Sequence, residues 1–506
     1  VAGLNVSIPL AKVLPGLAVT GPALQTDMFM ESMEEGFVIH SDAPLVWSGL
    51  NWTRQDGKVF SFDLSADPEI NWKGGRIKGE IKNLQLKTRN SKMLSGEFVF
   101  ERQAGDKPWE GEAVGSVRME DVERILLEGK ASFFRPTEHG ELKLAGAYDG
   151  SVVTLGECTL KIGGVHPWLH AQLPQALRIG RDAKGKFSFE KGGTLLELET
   201  RNLDLGRFGA LHPKMALQVA PVSGRWALNA GHDGIFELKA KEPLVLEDVS
   251  FGWDGTGYVF GEQLRGDLVL RFEEDGIALK VGDLLLGGVG DPLATGDFAY
   301  ASEGDNEDWG GTFEVQLPRA SRTILFKGAK GAFAAGTAMV KLGRSDSDSG
   351  VKLDVELKGA VLKDRPGSPI NAEVGLTWLQ DDPEEKTFHA RFNVEDGMRE
   401  SMGGLTAWTN NRFVFNATGL HLDHVLFAAD TYRAYALPTT GAANRRLPVL
   451  SMNVSVEKFH ATEGRPVGDI RASMVSGREK VELNSVSATL GDRGRVQGNL
   501  KFARGL

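Results

Sequence analysis

The chain has 506 residues and a formal net charge of −10, which argues against a nucleic-acid surface, since phosphate neutralisation needs clustered Lys and Arg. Its single cysteine, Cys158, excludes an intrachain disulfide framework and a cysteine-based metal cluster. No run approaches the roughly 18 apolar residues of a transmembrane helix, and no signal peptide is recognisable.

Period-2 alternation starts at Leu4, Val6, Ile8 and Leu10 and dominates to the end of the chain. Phe60, Phe62 and Leu64 continue it, followed by Ile77-Lys78-Gly79-Glu80-Ile81 and Leu94-Ser95-Gly96-Glu97-Phe98. Met119 to Leu127 carries apolar residues at helical spacing, which predicts a short amphipathic helix closed by Gly129. Cys158 lies in a strand-like run and is predicted to be a small buried residue. The glycine device returns at Leu264-Arg265-Gly266-Asp267-Leu268 and Ala294-Thr295-Gly296-Asp297-Phe298. In each copy Gly stands where an inward side chain would be, which predicts a bend, a bulge or a gap left for a ligand.

The cleanest alternation is Val351-Lys352-Leu353-Asp354-Val355-Glu356-Leu357-Lys358, a strand with one dry and one wet side. Leu420 to Leu437 is a second helix candidate of weaker period. The last stretch, Val496-Gln497-Gly498-Asn499-Leu500-Lys501-Phe502, repeats the glycine device. Turn signals such as Asp149-Gly150, Asp254-Gly255 and Asp275-Gly276 separate strands that recur roughly every 10–14 residues.

Pro44-Leu45-Val46 with Trp52 and Pro243-Leu244-Val245 with Trp253 hint at two homologous halves joined near Pro213 to Gly224. The predicted organisation is an N-terminal β segment (1–215), a central one (216–440) and a C-terminal repeat (441–506), continuous in one sheet. The chain opens on Val1 inside a strand pattern and stops just past another, so a segment of a longer protein is expected.

Each strand has an apolar face to hide, and open sheets rarely exceed about 10 strands without curling or splitting. Linkers that would separate several sandwiches are not found, nor is the fixed short repeat of a solenoid. The fold class that remains is all-β: a long, curled antiparallel sheet forming an elongated trough with an apolar interior, its curvature set by glycines.

The segment from Leu450 to Phe502 carries a family resemblance. It runs Leu450, Met452, Val454 and Val456, then Pro466-Val467-Gly468-Asp469-Ile470-Arg471-Ala472, then Val481-Glu482-Leu483-Asn484-Ser485-Val486, and closes on the Gly498 strand. This resembles the closing repeat of AsmA-like proteins, whose relatives include TamB-like and YdbH-like proteins. The resemblance implies a periplasmic bridge between inner and outer membranes, holding acyl chains in an apolar β-groove. Its expected partners are phospholipid or another acyl-chain lipid, and envelope membrane proteins. The membrane helix typical of the family is not in this sequence, so the inner-membrane anchor is expected outside this segment. The family has no catalytic motif to transfer. What transfers is an inward face: Leu450, Met452, Val454, Val456, Ile470, Ala472, Met474, Val481, Leu483, Val496, Leu500 and Phe502. Val351, Leu353, Val355 and Leu357 join it by their alternation.

Other constellations are weaker. His421-Leu422-Asp423-His424 is the densest metal-like cluster, but the further ligands a zinc site needs are not evident. Arg344 to Gly350 superficially resembles a calcium loop and fails its register, leaving a solvated hairpin turn. No nucleophile elbow, phosphate loop or dinucleotide fingerprint is present. The expectation is therefore a non-enzymatic lipid carrier without cofactor or metal. Its rival is a structural, adhesive or carbohydrate-binding β protein with a packed interior.

Overall fold

The structure, a computed structural model, describes residues 2–503 apart from 9–18, 21, 23, 54–58, 89–90, 106, 122–133, 135–137, 151, 182–186, 190–192, 205–214, 219, 231–234, 254–255, 273–275, 304–305, 322–332, 346–349, 381–385, 410, 436–449, 462–465, 477–479 and 492–493. About 80% of the described residues are strand, their sheet is not closed into a barrel, and their helices are short. The predicted class holds: an all-β chain built on a long, curled, mainly antiparallel sheet. It divides into two compact units, Val1–Glu242 and Pro243–Leu506.

In the first unit, strands Val59–Lys73, Arg76–Lys87, Lys92–Arg102, Trp109–Arg118, His139–Tyr148 and Val153–Ile162 each pair antiparallel with the next. Leu169–Gln172, Gly193–Leu203 and Val222–Ala230 extend the same sheet. In the second unit the meander runs without interruption from Leu244–Trp253 to Arg412–His421. Two helices pack on it, α1 (Leu317–Ala320) and α2 (Leu422–Tyr435).

α2 realises the helix expected over Leu420 to Leu437. Of the other expected helix, Met119–Asp121 are helical and the remainder lies outside the described residues. Among the described residues one pairing departs from the antiparallel expectation: Leu450–His460 runs parallel to Arg412–His421. A parallel neighbour requires a crossover rather than a hairpin, and the chain passes through α2 between the two strands. Antiparallel pairing then resumes to Gly494–Ala503.

The recurring Gly-polar dipeptide has a specific cause. Asp283 (φ 47°) and Ser485 (φ 53°) are bulged residues in the left-handed region, where ladder hydrogen bonding is lost. The residue after each glycine restores a partner. The Asp283 N–H donates to Asp297 Oδ1 (3.1 Å), and the Ser485 N–H donates to Asn499 Oδ1 (2.8 Å). The glycine itself sits opposite the residue just past the bulge, as in Leu284–Gly296 and Val486–Gly498. These bulges bend the sheet.

The glycines do not leave an empty channel, contrary to one reading of their pattern. At Gly79 the space is filled by the Phe100 ring, and at Gly296 by the backbone of Thr312 and Phe313. Gly498 does face open space, with no atom within 4 Å of where a Cβ would stand. The two units share this design at a constant offset: bulges at Asn83 and Asp283, glycines at 96 and 296, tryptophans at 109 and 309.

Candidate functional site

Alternation along each strand puts one apolar face on the second unit, and register joins it across strands. Leu353, Leu376, Ala390, Leu405, Phe415, Val454 and Ala472 form one continuous row over seven strands. A second row runs Val355, Val374, Phe392, Gly403, Ala417, Val456, Ile470. A third runs Val351, Trp378, Phe388, Ala407, Phe413, Met452, Met474, Leu483, Leu500.

Most of the residues predicted from sequence fall in these rows. Leu357 lies one step beyond, opposite Ala372. Leu450 pairs with Ser476 and Val496 with Ala488, on the same side of their strands. Phe502 pairs with Val481 in the backbone register, and both side chains lie outside the described residues.

One end of the face is closed. Leu317 of α1 and Phe427 of α2 join Phe333, Ala360, Leu362 and Ile370 in a buried cluster, against which Val355 and Leu357 pack. Towards the hairpin end the cover stops: Val351 is 39% and Trp378 53% exposed, and Leu500 is 50% exposed on the outer strand. Sequence reasoning missed Phe388, Phe392, Phe413 and Phe415, although Phe388/Ala390/Phe392 and Phe413/Phe415/Ala417 alternate as plainly as the runs it selected. Cys158, expected to be buried, is half-buried opposite Leu144, and burial pushes its thiol up.

The second unit carries a cavity of about 920 Å³ that Val355, Val374, Phe392, Gly403 and Ala417 of the second row help to line. Lys341, Asp354, Glu373, Arg391, Asn416 and Glu457 are among its lining residues. Arg391 Nη2 lies 3.6 Å from Asp354 Oδ1, and both side chains crowd the space above Gly375. Of the predicted groove residues, only Val355 is part of this lining.

The histidine cluster has a structural role. His424 is buried, with Nδ1 2.8 Å from Ser401 Oγ and Nε2 3.5 Å from Asp396 Oδ2. Ser401 Oγ also accepts the His421 N–H at 2.8 Å, which ties the start of α2 to the strand beneath. This serine–histidine–carboxylate order resembles a nucleophile relay, but Ser401 is completely buried and presents no hydroxyl to solvent. Among the described residues no group of three or more His, Cys, Asp or Glu side chains is placed to hold a metal. The Ser/Asp run after Arg344 joins paired strands at Ser345 and Gly350, while 346–349 lie outside the described residues.

His421 stacks on His460 with ring centroids 4.3 Å apart and lies 5.6 Å from His424. Burial pushes the His421 imidazole below its usual value of 6.5; the neighbouring His460 and His424 add to this, as does Arg399, while Asp396 opposes it. The folded state therefore binds fewer protons than the unfolded state between the lowered value and 6.5. The contribution of His421 to stability is fully present above about pH 6.5 and is lost as the pH falls below it. Thermal denaturation between pH 7.5 and 5.5 should show a falling midpoint, with a shallower slope in His421→Asn. An unchanged slope in that variant would refute the assignment.

No protein-family model, curated protein or solved structure matches the chain.

Proposed function

We propose that this protein is a non-enzymatic lipid carrier that holds acyl chains against the apolar face of its sheet. The observation that carries the reading is the apolar surface running across strands of the second unit, closed at one end and exposed at the other. A monomeric soluble surface rarely leaves so continuous an apolar face without a ligand or partner. Each methylene moved from water onto such a face contributes about 0.8 kcal/mol, so one acyl chain supplies enough free energy for stable binding. Headgroups stay in water at the hairpin end, where the rows reach Trp378 and Val351. The AsmA-like resemblance of Leu450 to Phe502 supports placing this activity in a bacterial periplasm, between inner and outer membranes. In this reading the protein passes lipid along a concentration gradient or to an envelope partner.

The test is native mass spectrometry of the purified protein, followed by solvent extraction and lipid identification. Bound phospholipid is the expected result, and a lipid-free protein under conditions that preserve folding would contradict it. A second reading, a carbohydrate-binding β protein, is favoured by the cavity over Gly375. It requires oligosaccharide binding that is lost when Arg391 is changed to Ala.

A further inference from the structure

We propose that the first unit holds the phosphate of a phosphate-bearing lipid at Arg102; this rests on the acyl-chain reading above and names the headgroup chemistry. Strands Gly36–His40, Val59–Lys73, Arg76–Lys87, Lys92–Arg102, Trp109–Arg118 and His139–Tyr148 meet, at their hairpin side, in a distinctive rung. Register places Phe37, Trp72, Ile77, Arg102, Trp109 and Tyr148 side by side across six strands. Phe37 and Trp72 stack at 5.2 Å, and Arg102 Cζ lies 5.4 Å from the centre of the Trp109 ring. Trp72 and Tyr148 are 37% and 44% exposed. The next rung inwards is purely apolar, with Phe100 against the space of Gly79.

Arg102 is half-buried, so its guanidinium stands at the wet edge of the apolar face. Arg102 Nε donates to the Lys107 carbonyl at 3.3 Å, and among the described residues no carboxylate pairs with it. The neighbouring Glu101 is engaged by Arg76 on the other face. The remaining guanidinium donors form a planar fork that matches two oxygens of a phosphate. Tryptophan and tyrosine with an apolar body and a wet edge are the side chains found where acyl chains meet headgroups.

The second unit has a comparable rung of Tyr300, Trp309, Arg344, Val351, Trp378 and Phe388. There, however, Arg344 already has Glu307 at 4.0 Å. An anion would have to compete with that carboxylate, so the phosphate site belongs to Arg102.

The experiment measures binding of dioleoyl phosphatidic acid, dioleoylglycerol and inorganic phosphate to the full chain by native mass spectrometry, with both lipids presented in detergent micelles. The wild type should prefer phosphatidic acid over the phosphate-free lipid by about tenfold, the effect of one charge-assisted contact. Arg102→Gln should abolish that preference while leaving dioleoylglycerol binding unchanged, which also reports that the variant is folded. Arg344→Gln should retain the preference. If both lipids bind and Arg102→Gln leaves their ratio unchanged, the phosphate site is refuted while the acyl-chain reading stands. If neither lipid binds, the acyl-chain reading fails and the site fails with it. Inorganic phosphate binding as tightly as phosphatidic acid would make Arg102 a free-anion site and overturn the lipid assignment.

Discussion

Val454→Glu should empty the second unit's apolar face of lipid and leave the protein folded. Val454 is half-buried in the middle of its row, between Phe415 on one neighbouring strand and Ala472 on the other. In the empty protein a glutamate there keeps water at the open face. Once an acyl chain covers it, the carboxylate must be stripped of water or take up a proton, and either costs several kcal/mol in an apolar setting. Lipid affinity should fall roughly a hundredfold or more. Leu353→Glu, in the same row, should behave alike. Asn453→Glu changes an adjacent residue that is exposed on the opposite side, and should leave occupancy intact. Quantifying extracted lipid per mole of protein, beside a thermal melt, checks all three. Wild-type lipid content in the folded Val454→Glu protein would refute the site.

Phe333→Ala should be the most destabilising single truncation in the closed end. Phe333 is 3% exposed and packs against Phe427 of α2, ring centroids 6.4 Å apart, within the cluster that includes Leu317 and Ile370. Removing a buried ring forfeits its transfer free energy and leaves a cavity the surroundings fill only partly, about 3–5 kcal/mol. For a unit of this size that lowers the unfolding midpoint by roughly 6–20 °C. A drop of less than about 2 °C would show that α1 and α2 do not close the apolar face through this cluster.

The parts of the architecture that depend on local period were legible in the sequence. Val351 to Lys358 alternates so strictly that its strand and its dry face follow from the residues alone. The Gly-polar repeat was visible too, but its reason was not. Asp297 and Asn499 act on N–H groups fourteen residues earlier, at bulges that exist only once two strands are in register. The parallel pairing of Arg412–His421 with Leu450–His460 was illegible for the same reason: nothing local to either strand specifies a partner across a helix. The histidine pair at 421 and 424 drew attention as a metal motif because spacing was all that could be read. Burial of Ser401 and His424 turns it into an anchor for α2. The Arg102 rung depends entirely on register, since its members are spread from Phe37 to Tyr148.

The central claim is that lipid lies on one named face of the sheet. A photo-crosslinking amino acid placed singly at Leu405, Val454, Asn416 or Asn453, with lipid present, tests this most directly. Register places Leu405 and Val454 in the apolar row, and Asn416 and Asn453 on the opposite side, with Asn416 among the residues that line the cavity. The account expects lipid adducts by mass spectrometry from Leu405 and Val454, and none from Asn416 or Asn453. Equal labelling from both faces, or labelling confined to Asn416, would contradict it.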